Sequence, residues 1–380
     1  MAGIYIHIPF CKQACHYCNF HFSTSLVLKE KMLDAICNEI VIRKNYLGDK
    51  DIETIYFGGG TPSVLEVQEI KRIIDTIENN YKTNTKEFTL EANPDDLTKE
   101  KLIELRSIGV NRLSIGVQSF FNADLKWMNR VHDAKQAITC IENALVAGFE
   151  NLSVDLIYGT PNQSDDNWKY NIQKLVDYNI PHISCYALTV EPKTALQYMI
   201  EKDKTQAPDE TIAAKHFEIL VDMLRENNYE HYEISNFAKN KKYAMHNSSY
   251  WKGAYYSGIG PSAHSFNGFS RQWNASSNAL YIQNMKDEII PFEIEYLSEV
   301  QKANEKIMTS LRTMWGLNLE EFKDAFNENN LKQLLSEAKY DLQKENLKLE
   351  NNILCMSAKA KFFADGIISD LFFTEETFVN

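Results

Sequence analysis

Three cysteines fall close together, Cys11, Cys15 and Cys18, in the spacing C-x3-C-x2-C. Thiolates so spaced can wrap one face of a cubane iron–sulfur cluster and leave the fourth iron without a protein ligand. The competing reading is zinc, with His16 or His21 as fourth ligand. Structural zinc closes all four positions and usually draws its ligands from two separated pairs, and the sequence offers no second pair. A cluster with an open iron is the chemistry these residues favour. Cys37, Cys140, Cys185 and Cys355 lie on apolar faces of predicted helices or strands and read as small buried hydrophobes. With seven cysteines in all, an odd count, and no signal-peptide pattern at the N-terminus, a disulfide framework is not expected.

The elements that must position the thiols alternate along the first half of the chain. The pattern predicts strands over 4–8, 54–57, 88–91, 112–117, 152–157 and 182–188. Between and after them it predicts helices over 28–46, 67–81, 99–108, 134–147, 168–178 and 209–227. Short connections between alternating elements imply right-handed crossovers and a parallel sheet. Six such units predict an α/β fold, a partial or complete (β/α) barrel over 1–228, with its chemistry at the C-terminal ends of the strands. The cysteines follow the first strand and so fall at that end. Residues 229–295 read as an aromatic-rich extension without clear period. Residues 296–380 read as a small winged-helix-like domain, with helices over 305–314, 319–327 and 331–345 and a hairpin turning at 350–352. That shape suggests DNA only by analogy, and fold does not carry function.

Composition narrows the function classes. Apolar residues make up 44% and charged residues 24% of 380 residues, ordinary for a soluble chain with a large core. The net charge of −12 opposes phosphate backbones, and no basic run compensates, so nucleic acid is not an expected partner. No stretch approaches the 18 or so apolar residues of a membrane span. The expected location is the cytoplasm.

The cysteine triad and its surroundings resemble the radical S-adenosylmethionine (SAM) superfamily. The flanking text Ile4-Tyr5-Ile6-His7-Ile8-Pro9-Phe10-Cys11 is similar to the branch of oxygen-independent coproporphyrinogen III oxidases. The resemblance implies a 4Fe–4S cluster on Cys11, Cys15 and Cys18. It also implies SAM chelated to the open iron through its amino and carboxylate groups and cleaved by one electron. Further matches run in order at strand ends. Gly58-Gly59-Gly60-Thr61-Pro62 is implied to meet the SAM ammonium. Glu91, in Glu91-Ala92-Asn93-Pro94, matches the SAM-binding acid. Gln118 sits just past the fourth strand, Arg130 is where the family sets an arginine near the SAM carboxylate, and Asp155 matches a ribose-binding acid. Tyr5 and Tyr17 match positions lining SAM and the cluster.

Two departures bear on the reaction. The porphyrin-forming enzymes carry a fourth cysteine two residues after the third, where this chain has Phe20, and a long segment before the first strand, where this sequence has Met1 to Gly3. Both argue against oxidative decarboxylation of coproporphyrinogen III, which stands as the alternative activity. The segment His246-Asn247-Ser248-Ser249-Tyr250-Trp251 instead fits the H-N-x-x-Y-W motif of the heme-chaperone subfamily. An imidazole can ligate heme iron and aromatic faces can cover the macrocycle, so His246, Tyr250 and Trp251 are heme candidates. The subfamily implies heme as cargo, heme-accepting apo-enzymes such as respiratory proteins as partners, and a one-electron donor such as flavodoxin or ferredoxin. It further implies a homodimer and docking at the membrane periphery where recipients are membrane-bound. Gly258-Ile259-Gly260-Pro261-Ser262-Ala263 imitates a dinucleotide fingerprint without its strand–turn–helix setting and reads as a structural loop. His264 beyond it is a further candidate for tetrapyrrole contact.

Overall fold

The computed structural model describes residues 2–379. Six strands come from the predicted alternation: β1 Ala2–Ile8, β2 Ile52–Gly59, β3 Thr83–Ala92, β4 Arg112–Gln118, β5 Asn151–Tyr158 and β6 His182–Ala187. They pair side by side in that order, all parallel. Helices cover the strands, so Ile4, Ile6 and Ile8 of β1 are buried along with the strand's backbone neighbours. Burial on both faces is why these strands read as near-continuous apolar runs. The helix Val67–Asn80 shows the complementary pattern. Val67, Ile70, Ile73, Ile74 and Ile77 face inward, the stripe expected of an amphipathic helix, and a capping box of Glu66 and Glu69 fixes its start.

The sheet does not close. Its order is β12-β11-β10-β9-β1-β2-β3-β4-β5-β6-β8-β7, so the barrel is partial and open at both edges. The segment without clear sequence period supplies the outer strands: β7 Glu230–Glu233, β8 Asn236–Ala238, β9 Tyr255–Ile259, β10 His264–Phe266, β11 Ser270–Asn274 and β12 Phe292–Tyr296. β9 runs parallel to β1, with Tyr5 opposite Gly258 and Ile6 opposite Ile259. β10 to β12 continue antiparallel.

A buried carboxylate clamps this extension to the first helix, Lys29–Ile42. Glu39, fully buried, accepts from Arg43 Nε at 2.6 Å, the Gly260 amide at 2.8 Å, Asn274 Nδ2 at 2.8 Å and the Tyr281 hydroxyl at 2.5 Å. Arg43 also donates to Gln272 and Asn274, each at 2.9 Å.

A second apolar core gathers Ala303, Ile307, Leu311, Phe322, Leu334 and Leu354. The helix Leu319–Glu337 breaks at Asn327, whose φ is 67°, and the Asn327 side chain accepts from the amides of Asn329 and Asn330. A three-stranded sheet packs beside it: β13 Leu317–Asn318, β14 Leu347–Glu350 and β15 Ile353–Met356. The hairpin turns at Asn351 and Asn352, both with positive φ, as its two-residue loop requires. Among the described residues no helix is long and apolar enough to cross a membrane.

Glu39→Ala leaves the Arg43 guanidinium buried without its counter-charge. Urea unfolding of the variant is expected to show a loss of about 3–5 kcal/mol. A loss below about 1 kcal/mol, the range of exposed ion pairs, would mean that the clamp does not hold the extension.

Candidate cofactor site

β1 delivers its chain into the cysteine loop at the C-terminal end of the parallel strands. The loop is stitched to the segment after β4. Gln13 Nε2 donates to the backbone and side-chain oxygens of Asn129 at 3.0 and 2.7 Å, Asn129 Nδ2 returns a bond to the Ala14 carbonyl at 2.7 Å, and the His16 amide donates to the Met128 carbonyl at 3.2 Å. Cys11, Cys15 and Cys18 are free thiols, and all three line one cavity of 460 Å³. Tyr17, Gly59, Gly60, Thr61, Glu91, Gln118, Arg130 and Asp155 line the same cavity. Tyr5, also matched to this site, lies elsewhere. It packs on Tyr56 at 5.9 Å and faces a second cavity.

Around the thiols the chemistry is that of a charged ligand's cradle. Burial pushes the Cys11 thiol up to about 11, while Thr61 donates to its sulfur at 3.3 Å. Arg130 Nη1 donates to Cys15 Sγ at 3.4 Å, and its Nη2 bonds Asn93 Oδ1 at 2.5 Å and the Gly116 carbonyl at 2.7 Å. The Arg130 Nε is buried with no partner among the described residues. Opposite charge comes from two acids. Burial raises Glu91 to about 7, against a 2.6 Å bond from the Tyr56 hydroxyl. Burial likewise raises Asp155 to about 6, against the pull of Arg112 and bonds from Ser114 at 3.3 Å. A cavity walled by two acids short of counter-charge at one side and a guanidinium with an unused donor at another suits a zwitterionic, cationic ligand.

Gly59 shows how closely the backbone is packed there. Its φ is +101°, and a Cβ on it would collide with the His7 ring, so the turn at the end of β2 needs glycine. Gln118 closes β4 with φ 68°, an uncommon conformation for a side-chain-bearing residue. Among the described residues, no three His, Cys, Asp or Glu side chains gather tightly enough to hold a single metal ion. In a cubane each cysteine holds a different iron, so its sulfurs stand apart. His16 and His21 are drawn to other partners, the Trp127 carbonyl and Asn278 Oδ1, each at 2.7 Å. Three free thiols facing one cavity fit a cluster that leaves one iron without a protein ligand.

The family model described as the radical SAM superfamily matches residues 5–190. The heme chaperone HemW of Bacillus subtilis (strain 168) is 35% identical over 331 residues, which cover 86% of this chain and 87% of that protein. The chain belongs to the HemW family of radical SAM proteins. HemW of Mycobacterium tuberculosis (strain H37Rv) is 29% identical over 97% of this chain and 94% of its own length. Mouse radical S-adenosyl methionine domain-containing protein 1, mitochondrial, is 34% identical over 69% of this chain and 60% of its own. Among solved structures, coproporphyrinogen III oxidase (HemN) from Escherichia coli superposes with a TM-score of 0.84 at 21% identity, covering 98% of this chain and 90% of that one. HemN shares this α/β fold.

Of the heme candidates, His246 and Tyr250 touch and Trp251 turns away. His246 is fully buried. Its Nδ1 bonds Thr54 Oγ1 at 2.8 Å and its Nε2 bonds the Tyr250 hydroxyl at 2.7 Å. Burial, then the charge of Arg112, lowers it to about 3, so it stays neutral, and neither ring nitrogen is free for iron. Trp251 stacks under the Arg312 guanidinium at 5.5 Å, away from the cavities. Tyr250 lines the second cavity. Asn93, Ser114 and Tyr186 also line the first cavity, unmarked by the sequence reading. All three lie at or near strand ends, and Asn93 stands inside the quoted Glu91-Ala92-Asn93-Pro94 text.

A cation seated between Glu91 and Asp155 needs them ionised. Below about pH 6 both are largely protonated, and above about 7 both carry charge. Calorimetric titration with SAM is expected to show affinity rising between about pH 6 and 8 with proton release on binding, and Glu91→Gln should flatten the profile. A wild-type affinity independent of pH would remove Glu91 as a partner of the ligand's charge.

Proposed function

We propose that this protein is a heme chaperone of the HemW type. It carries a SAM-liganded 4Fe–4S cluster on Cys11, Cys15 and Cys18, takes up heme, and passes it to heme-accepting apo-enzymes such as respiratory proteins. The observation that carries the cofactor part is the meeting of three free thiols, two half-buried acids and one half-buried guanidinium in a single cavity. The cargo follows the Bacillus subtilis and Mycobacterium tuberculosis relatives, both named heme chaperones. When bound, the cluster supplies one electron to the SAM sulfonium. In that reading Glu91 and Asp155 hold the cationic side of SAM, and the Arg130 guanidinium takes its carboxylate. The glycine backbone at Gly59 and Gly60 leaves room for the ligand to approach, and Tyr17 covers it. Reduction calls for a one-electron donor of the flavodoxin or ferredoxin class. The proposal extends to a cytoplasmic homodimer that meets membrane-bound recipients at their surface.

Oxidative decarboxylation of coproporphyrinogen III is the reading this proposal displaces. The fourth cysteine of that branch is here Phe20, 67% exposed between the two cavities. The likeness to HemN at 21% identity is one of fold, and fold alone does not transfer an activity.

Anaerobically reconstituted protein is expected to hold four irons per chain, and Cys11→Ala, Cys15→Ala or Cys18→Ala to abolish that content. The same preparation should bind heme saturably and leave coproporphyrinogen III unchanged when supplied with SAM and reductant. Full iron and sulfide in the cysteine variants would overturn the cluster assignment. Formation of protoporphyrinogen would overturn the chaperone assignment.

A further inference from the structure

The parallel strands stack their inward side chains in layers beneath the first cavity. Register sets Tyr56 on β2, Thr89 on β3 and Arg112 on β4 side by side. The next layer, toward the cavity, carries Glu91 on β3, Ser114 on β4 and Ser153 on β5. Side chains two residues apart on a strand share a face. Arg112 therefore lies one layer below Ser114, which lines the cavity and donates to Asp155.

Arg112 is 1% exposed, and its neighbours leave its charge largely unspent. Its Nε stands 3.9 Å from Glu87 Oε2, beyond hydrogen-bond reach. Both oxygens of that carboxylate instead accept backbone amides, those of Met245 and His246, each at 2.9 Å. The Nε and Nη1 of Arg112 have no hydrogen-bond partner among the described residues. Its Nη2 lies 3.5 Å from His182 Nδ1. His182 in turn bonds Ser153 Oγ at 2.8 Å and the Tyr232 hydroxyl at 2.7 Å, and Ser153 Oγ lies 3.5 Å from Asp155 Oδ1. One histidine and one serine thus separate the guanidinium from the acid at the cavity.

The other titratable groups around the two acids carry no positive charge. Tyr5, Tyr56, Tyr186, Tyr250 and Cys18 face Glu91, and Tyr56, Cys185 and Tyr186 face Asp155. Burial holds each of these phenols and thiols in its neutral form. His182 and His246, which face Arg112, are kept neutral by burial and then by Arg112 itself. Burial raises both acids, and Arg112 is the cation that opposes it at both. Burying a charge without a close partner costs stability. An apolar side chain at 112 would pack without that cost, so the use of the cation lies in its field on the cavity above.

Resting on the SAM reading above, we propose that Arg112 is a positioning residue for SAM, a fixed cation beneath the first cavity that acts on the ligand through Glu91 and Asp155. Calorimetric titration of the full-length, cluster-reconstituted protein with SAM, from about pH 6 to about pH 9, tests it. Each variant is read as its affinity relative to wild type at the same pH, which cancels the ligand's own titration. Arg112→Met should bind about tenfold more weakly near pH 7, as a displacement of both acids by about one pH unit requires. Near pH 9 it should match wild type, with wild-type iron and sulfide content. Arg112→Lys, which keeps the charge, should stay close to wild type throughout. Glu87→Gln removes the opposing charge and should move the other way, about threefold tighter near pH 6 and unchanged near pH 9. It also decides the matter if Arg112→Met fails to fold. An Arg112→Met ratio that is the same at every pH, lowered or not, would overturn the assignment and leave the SAM reading standing, as would a Glu87→Gln ratio of one throughout. Absence of SAM binding to wild type would overturn both.

Discussion

Strand β1 has a parallel neighbour on each side, and the organisation of the site depends on that constraint. Pairing with β2 on one side and β9 on the other buries it in the middle of the sheet, where Ile4, Ile6 and Ile8 anchor it. Such a strand has no freedom to slip, because a one-residue shift would turn its buried set over to the opposite face. Its C-terminal end is thus a fixed point, and the cysteine loop leaves from it. One cavity opens toward β2 to β6 and the other toward β9 and β10, with Asn19 and Phe20 on both. The clamp at Glu39 keeps the β9 side in place by fixing Gly260 and Asn274 to the first helix.

The first cavity holds its groups at an electrostatic cost. Two carboxyls and three thiols share a space screened from water, and each is shifted toward its neutral form where a shift is resolved. Arg130 is the cation among them, tied by three bonds to Cys15, Asn93 and Gly116. Metal binding turns this around, since a bound iron deprotonates its thiols and a cationic ligand favours ionised acids. Groups that are awkward company in the bare protein become mutually compensating partners in the loaded one.

The parallel strands and this cavity were legible in the sequence because both follow strong local rules. Strands buried on two faces read as apolar runs, and the residues at their ends sit at the one place where a parallel sheet does chemistry. The resemblance to radical SAM proteins singled out Glu91, Gln118 and Asp155, and the strand pattern put them at one end of the sheet. It could not locate β7 to β12. Those strands are three to five residues long and rich in Tyr, Glu and Ser. Buried polar faces, held by bonds such as those of Asn274 and Ser265, hide the period of two. The motif at His246 was visible, but the partners of its ring were not. Thr54 is distant in sequence and arrives through β2, so only the three-dimensional structure reveals that both nitrogens are taken.

The near-coincidence of this fold with that of HemN, at a fifth of residues identical, places the burden of function on individual side chains. Between the two cavities this chain sets Phe20, an exposed apolar ring where the resemblance leads one to expect a fourth thiol. A phenyl ring offers no metal or hydrogen-transfer chemistry, yet it provides a face for a flat apolar surface. On the far side of that ring lie the rings of Tyr5, Tyr250 and Tyr256. The same backbone here surrounds the neighbouring space with aromatic and imidazole rings. Exchanging side chains around an unchanged sheet is how one scaffold serves more than one function.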